Sequence, residues 1–113
     1  MKTESASMKF GLDEEVVRSL GGVFEYTPKV DEVIIFGSRA KGNFSEGSDI
    51  DLAIKGKTVQ FDTVLSLMDK VDKLGLLYKI DLQNYQTIAD KDVLDHIHRV
   101  GRIFWKRKLK PNA

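Results

Sequence analysis

Apolar positions recur along this chain with two different periods. Val16, Val17, Leu20, Val23 and Phe24 recur at helical spacing and share one face. Asp13 stands ahead of them as an N-cap, and Glu14 and Glu15 suit the positive end of a helix dipole. Gly21-Gly22 interrupts the stripe and Pro28 marks a break. Val33 to Phe36 is a continuous, β-branched apolar run, the pattern of a strand buried on both faces. Asp49 to Ile54 alternates instead, which turns both carboxylates to one face and Ile50, Leu52 and Ile54 to the other. A second helical stripe runs through Phe61, Val64, Leu65, Met68 and Val71, with Gly75 as its stop. Leu76, Tyr78, Ile80 and Leu82 alternate with Leu77, Lys79 and Asp81 as a third strand. Thr87 to Asp90 has capping-box spacing. A last helix follows on Val93, Ile97, Val100 and Phe104, with Gly101 as a weak point. It ends at Lys106-Arg107-Lys108, where cations suit the dipole.

The order is helix, strand, short helix, strand, helix, strand, helix. It predicts an α/β or α+β domain with a small mixed β-sheet flanked by helices. With 113 residues the expectation is one domain, residues 10–113, behind a flexible arm from Met1 to Lys9. If the second and third strands are neighbours in suitable register, Asp49, Asp51 and Asp81 converge on one face.

Charge narrows the function classes. Lys and Arg total 18 against 17 Asp and Glu, so bulk electrostatics do not indicate a nucleic-acid partner. There is no cysteine, hence no disulfide framework and no thiolate metal site. No apolar run approaches the roughly 20 residues that span a bilayer, and the first residues lack the apolar stretch of a signal peptide. These features point to the cytoplasm and away from a membrane.

The chemistry concentrates between Gly37 and Ile54, GSRAKGNFSEGSDIDLAI. A Gly-Ser turn at the mouth of a strand can hold phosphate on backbone N–H groups. Clustered carboxylates repel at neutral pH and call for protons or cations. Mg²⁺ prefers such hard oxygen ligands, shared with substrate phosphates. A calcium loop does not fit, because Ala53 and Ile54 stand where an EF-hand needs a ligand and a glycine. His96 and His98 read as ordinary surface or boundary residues, and Lys106 to Lys110 as a solvated helix end. Phe104 and Trp105 read as core or interface.

Gly37-Ser38, Asp49-x-Asp51 and the later Asp81 together resemble the signature of the nucleotidyltransferase superfamily typified by DNA polymerase beta. The fuller stretch, Gly37 to Gly42 and Ser48 to Leu52, is similar to the minimal nucleotidyltransferases of prokaryotes, small domains usually paired with a helical HEPN-type protein. The resemblance implies the nucleotidyltransferase fold and transfer of a nucleoside monophosphate from an NTP, ATP above all, to a hydroxyl acceptor. It implies that Asp49, Asp51 and Asp81 are catalytic and ligate two Mg²⁺ ions, with Mn²⁺ as a substitute. Gly37 and Ser38 would bind the β- and γ-phosphates, with Arg39 and Lys41 as further phosphate contacts. Lys41 stands where many relatives have Arg, keeping the charge without the bidentate fork. The other class the resemblance leaves open is an antitoxin-like subunit that engages or modifies its partner. The acceptor is not named by the residues.

Overall fold

The two most apolar strands take the middle of a four-stranded sheet. In the computed structural model, which describes residues 9–108, the strand order is β3-β2-β1-β4. β1 (Glu32–Phe36) runs antiparallel to β2 (Ile50–Lys55) on one side and to β4 (Arg102–Lys106) on the other. β2 is parallel to β3 (Ile80–Asn84), the connection being made through helix α3 (Phe61–Asp72). The remaining helices are α1 (Glu14–Glu25), α2 (Gly37–Lys41) and α4 (Lys91–Val100). The expected α+β class with a mixed sheet is what the structure has. Of the expected arm only Lys9 is among the described residues, and the tail Pro111 to Ala113 lies outside them. No helix among the described residues is long and apolar enough to cross a membrane.

Strand alternation gives the sheet two unlike faces. Val33, Ile35, Ile50, Leu52, Ile54 and Leu82 face the main core with Leu20 and Phe24 of α1 and Val64, Leu67 and Val71 of α3. The opposite face carries a smaller cluster of Phe36, Ala53 and Ile97, flanked by Ile34 and Val93. β1 is thus covered on both sides, as its continuous apolar run requires. The charged alternates Asp51 and Asp81 share the second face with α4. α1 continues through Gly21-Gly22, and Gly21 has a packing reason. A Cβ there would come within 3.3 Å of the Trp105 indole.

Three expectations are corrected. In α3 the buried stripe is Thr63, Val64, Leu67 and Val71, whereas Phe61, Leu65 and Met68 are exposed, Phe61 by 76%. The helix is rotated from the expected stripe so that Thr63 and Leu67 join Val64 and Val71 on the buried face. The third strand begins at Ile80, with Leu77 in solvent and Leu76 and Tyr78 packed on the core from the preceding turn. The cap of α4 is Asp90, whose carboxylate accepts from the amides of Asp92 and Val93, while Thr87 closes a 3₁₀ turn.

The largest correction is at the end of the chain. The last helix stops at Val100, and Arg102–Lys106 is a strand. Gly101 has extended ψ, and a Cβ at this residue would collide with the Ile97 carbonyl, so the chain turns sharply here. The pairing with β1 shifts between Val33 and Ile34. Trp105 stands opposite Val33 and Ile103 opposite Ile34, which leaves Phe104 as the extra residue of a bulge. The bulge breaks the alternation and lets both Phe104 and Trp105 pack on the α1 side of the sheet.

Arg107 does serve a helix C-terminus, though that of α1 rather than its own. Its guanidinium donates to the carbonyls of Phe24, Glu25, Thr27 and Val30, and its backbone amide donates to the Asp31 carbonyl. Arg107→Ala is expected to lower stability by about 1–3 kcal/mol, the range for hydrogen bonds to a charged group. Arg107→Lys should recover only part of it, because an ammonium cannot span the carbonyls that the planar fork reaches. Equal denaturation midpoints for the lysine variant and wild type would contradict this role.

Candidate active site

β1 delivers the chain into a tight turn at its C-terminal end. Gly37 has φ +78°, a left-handed conformation that favours glycine, and a Cβ there would collide with the Asp51 carboxylate. Two independent constraints therefore demand glycine. The Gly37 amide donates to Nε2 of His96 at 3.0 Å. Ser38 follows, half-buried in the first turn of α2, and the helix closes at Gly42 in the left-handed region.

The carboxylates come from adjacent strands. Asp51 and Asp81 are direct partners across the parallel β2–β3 pairing, and both are half-buried. Asp49 precedes β2 by one residue and is exposed. Nε2 of Gln83, two residues along β3, donates to Asp81 at 3.3 Å. Burial raises the pKa of Asp51 above the ordinary carboxylate value, and the charges of Asp81 and Asp49 push it further up, while His96 and Lys79 pull it down. Asp51 and Asp81 are thus brought side by side, while Asp49 stands exposed one residue ahead of the strand. They are not a closed cage, for among the described residues no three His, Cys, Asp or Glu side chains are gathered to hold one ion. The donor set nevertheless fits a hard divalent cation: Asp51 and Asp81 present paired carboxylate oxygens whose mutual repulsion a cation relieves, and phosphate oxygens commonly complete such sites.

Arg39 and Lys41, both expected as phosphate contacts, are placed very differently. Arg39 is only 2% exposed. Its three nitrogens donate to the carbonyls of Ser48, Phe10 and Glu46, and its guanidinium lies against the rings of Phe44 and Tyr78. It is spent on holding the loop that leads into Asp49. Lys41 is exposed at the far end of α2.

Two further residues lie at the site, His96, which sequence reasoning set aside, and Gln83, which it did not single out. His96 bonds the Gly37 amide, meets the Phe36 ring edge-on at 6.3 Å between centroids, and acts on Asp51. Its signal was position: it stands three residues after Val93 and one before Ile97, at the border of the apolar stripe. Gln83 continues the Asp81 face of β3 by simple alternation. His98 faces elsewhere, with its Nε2 2.8 Å from the Tyr85 hydroxyl.

The family model described as polymerase beta, nucleotidyltransferase matches residues 19–110. A relative from Methanocaldococcus jannaschii, named as a candidate protein adenylyltransferase, is 43% identical over 47 residues. The match takes in 42% of this chain and 46% of that protein, under half its length. Among solved structures, a chain of a toxin–antitoxin complex with AMP-PNP superposes with a TM-score of 0.65 at 21% identity, over 81% of this chain and 74% of the other. A chain from the complex of a tri-AMPylated Shewanella oneidensis HEPN toxin with its MNT antitoxin gives 0.61 at 19% identity, over 83% and 72%. A candidate nucleotidyltransferase from Sulfolobus solfataricus gives 0.54 at 23% identity, over 94% and 91%. At these identities the structural likeness is one of fold, and it agrees with the expected nucleotidyltransferase architecture.

The crowding at Asp51 has a measurable consequence. Because the folded protein raises this pKa, ionised Asp51 costs stability above the folded pKa, and the cost disappears as pH falls through the ordinary carboxylate range. Without divalent cations, Asp51→Asn should melt above wild type at neutral pH, and the gap should close on acidification. A variant that melts lower at pH 7 would reverse the sign of the effect.

Proposed function

Because the chain belongs to the polymerase beta nucleotidyltransferase family, we propose that it transfers the nucleoside monophosphate of an NTP, ATP by preference, to a hydroxyl acceptor with release of pyrophosphate. It does so as the nucleotide-binding half of a two-protein system with a helical HEPN-type partner. The observation that carries the reading is the placement of Asp51 opposite Asp81, with the Gly37 turn packed directly against the Asp51 carboxylate. A triphosphate bound on that turn has its α-phosphorus beside the paired carboxylates.

Gly37 and Ser38 hold the β- and γ-phosphates through the backbone N–H and the hydroxyl. Asp81, kept oriented by Gln83, takes the proton of the acceptor hydroxyl. The acceptor oxygen forms a new bond to the α-phosphorus, the bond from that phosphorus to the bridging oxygen breaks, and pyrophosphate leaves with the electron pair. Asp49, Asp51 and Asp81 would hold the divalent cations, Mg²⁺ or Mn²⁺ in its place, which when bound neutralise the carboxylates and the charge developing on phosphate oxygens. Lys41, exposed at the end of α2, remains a candidate contact for the outer phosphates.

The partner reading draws support from the shape of the chain. Phe104 is buried in the main core and Trp105 rests against α1, so neither provides the interface that their aromatic character invites. Phe61, Leu65 and Met68 instead present an apolar stripe on the outer face of α3, the kind of surface that marks an interaction site. The likeness to MNT antitoxin complexes leads in the same direction. An antitoxin-like subunit whose transfer serves only to modify its partner would use the same residues.

The test is incubation with α-phosphate-labelled NTPs and Mg²⁺, with and without the protein encoded next to it. Label should pass to an acceptor from ATP most readily. Asp49→Asn combined with Asp51→Asn should abolish transfer in a folded protein; wild-type rates in that variant would refute the site. Ser38→Ala should weaken ATP binding by about 1–2 kcal/mol, the worth of a hydrogen bond to a charged group, and leave adenosine binding unchanged. Equal losses for the two ligands in calorimetry would move Ser38 away from the phosphates.

A further inference from the structure

We propose that His96 is a positioning residue that stands in for a phosphate oxygen: in the nucleotide-free protein its Nε2 occupies the Gly37 amide, and a bound triphosphate takes that amide over. The inference rests on the phosphate-turn reading of Gly37 above. Three observations lead to it. The Gly37 N–H donates to Nε2 of His96 at 3.0 Å, across 59 residues of sequence. To accept there, the imidazole must be neutral with its proton on Nδ1. A backbone N–H offers a single donor, so a phosphate oxygen and Nε2 are alternative acceptors for it.

The geometry around the contact keeps this exchange local. Gly37 is fixed by its positive φ and by the Asp51 carboxylate packed against its Cα, so the amide cannot turn away to serve both acceptors. His96 lies half-buried in the middle of α4, a helix that packs against α2, with its ring edge-on to Phe36. His96 itself is half-buried, so its imidazole is not enclosed by the core. In the proposed exchange the imidazole leaves by a rotamer change, while Ile97 keeps α4 anchored to the sheet. In the empty protein the imidazole satisfies a part-buried donor and holds the turn in its binding conformation.

The exchange predicts a direction that a purely structural histidine would not. His96→Phe keeps a ring against Phe36 but removes the competing acceptor. It should bind inorganic tripolyphosphate and ATP more tightly than wild type by about two- to tenfold, the equivalent of one ordinary hydrogen bond. Adenosine binding should not change. His96→Gln restores an acceptor and should return tripolyphosphate affinity toward wild type. In wild type, tripolyphosphate should shift the Gly37 amide resonance and the His96 ring nitrogens together. A folded His96→Phe protein that binds tripolyphosphate no better than wild type overturns the proposal, as does a Gly37 shift with an unmoved His96 ring. If tripolyphosphate binds and leaves the Gly37 amide unshifted, the phosphate-turn reading itself fails and the exchange falls with it.

Discussion

Two aspartates stand side by side on parallel strands, and much of the molecule is arranged to tolerate that. Like charges directly opposite on neighbouring strands are destabilising, and burial adds to the cost at Asp51. The pairing persists because the other face of the same strands is strongly apolar. Ile50, Leu52 and Leu82 cannot shift by one residue without exchanging core for solvent. The register that buries these three residues is the register that forces Asp51 against Asp81. Hydrophobic packing on one side of the sheet thus holds an electrostatically unfavourable cluster in place on the other, a cluster relieved by a bound cation or proton.

The supports of the site are polar and long-range. Arg39 and Arg107 spend their guanidinium groups on backbone carbonyls rather than on carboxylates. Arg39 ties the loop before Asp49 to α2 and to the turn at Phe10, so the approach of the first aspartate is set by a buried cation. Arg107 ties β4 to the exit of α1 and the entry of β1, the strand that ends at Gly37. Arginine suits both tasks because its planar fork satisfies several acceptors at once and stays charged when buried. The exposed ion pairs, such as Arg18–Glu14 and Arg99–Asp95, lie along single helices and contribute far less.

The Gly37 amide is where the two faces of the argument meet. It closes the central strand, packs against the Asp51 carboxylate and carries the contact to α4. Its local conformation is determined by steric exclusion, while its hydrogen-bond partner is a side chain 59 residues away.

Much of this was legible in the amino-acid sequence because it depends on local periodicity and on residue chemistry. The alternation at Asp49 to Ile54, the apolar run at Val33 to Phe36 and the Gly37-Ser38 turn predict the central strands, the orientation of the aspartates and the chemistry of the site. What the tertiary structure decided depends on contacts between distant segments. A helical spacing of Val93, Ile97, Val100 and Phe104 continues past Gly101 on paper, yet Phe104 sits in a β-bulge, because the edge of β1 offered Arg102–Lys106 a partner that no local pattern reveals. Phe61, Leu65 and Met68 fit a stripe as well as Leu67 does, and only the sheet selects which face of α3 is buried. Arg39 and His96 take partners that no local pattern reveals for the same reason: the arginine meets three carbonyls from two segments, and the histidine meets an amide 59 residues away. Side-chain chemistry can be read from one position at a time, but the partner that uses it is chosen by the fold.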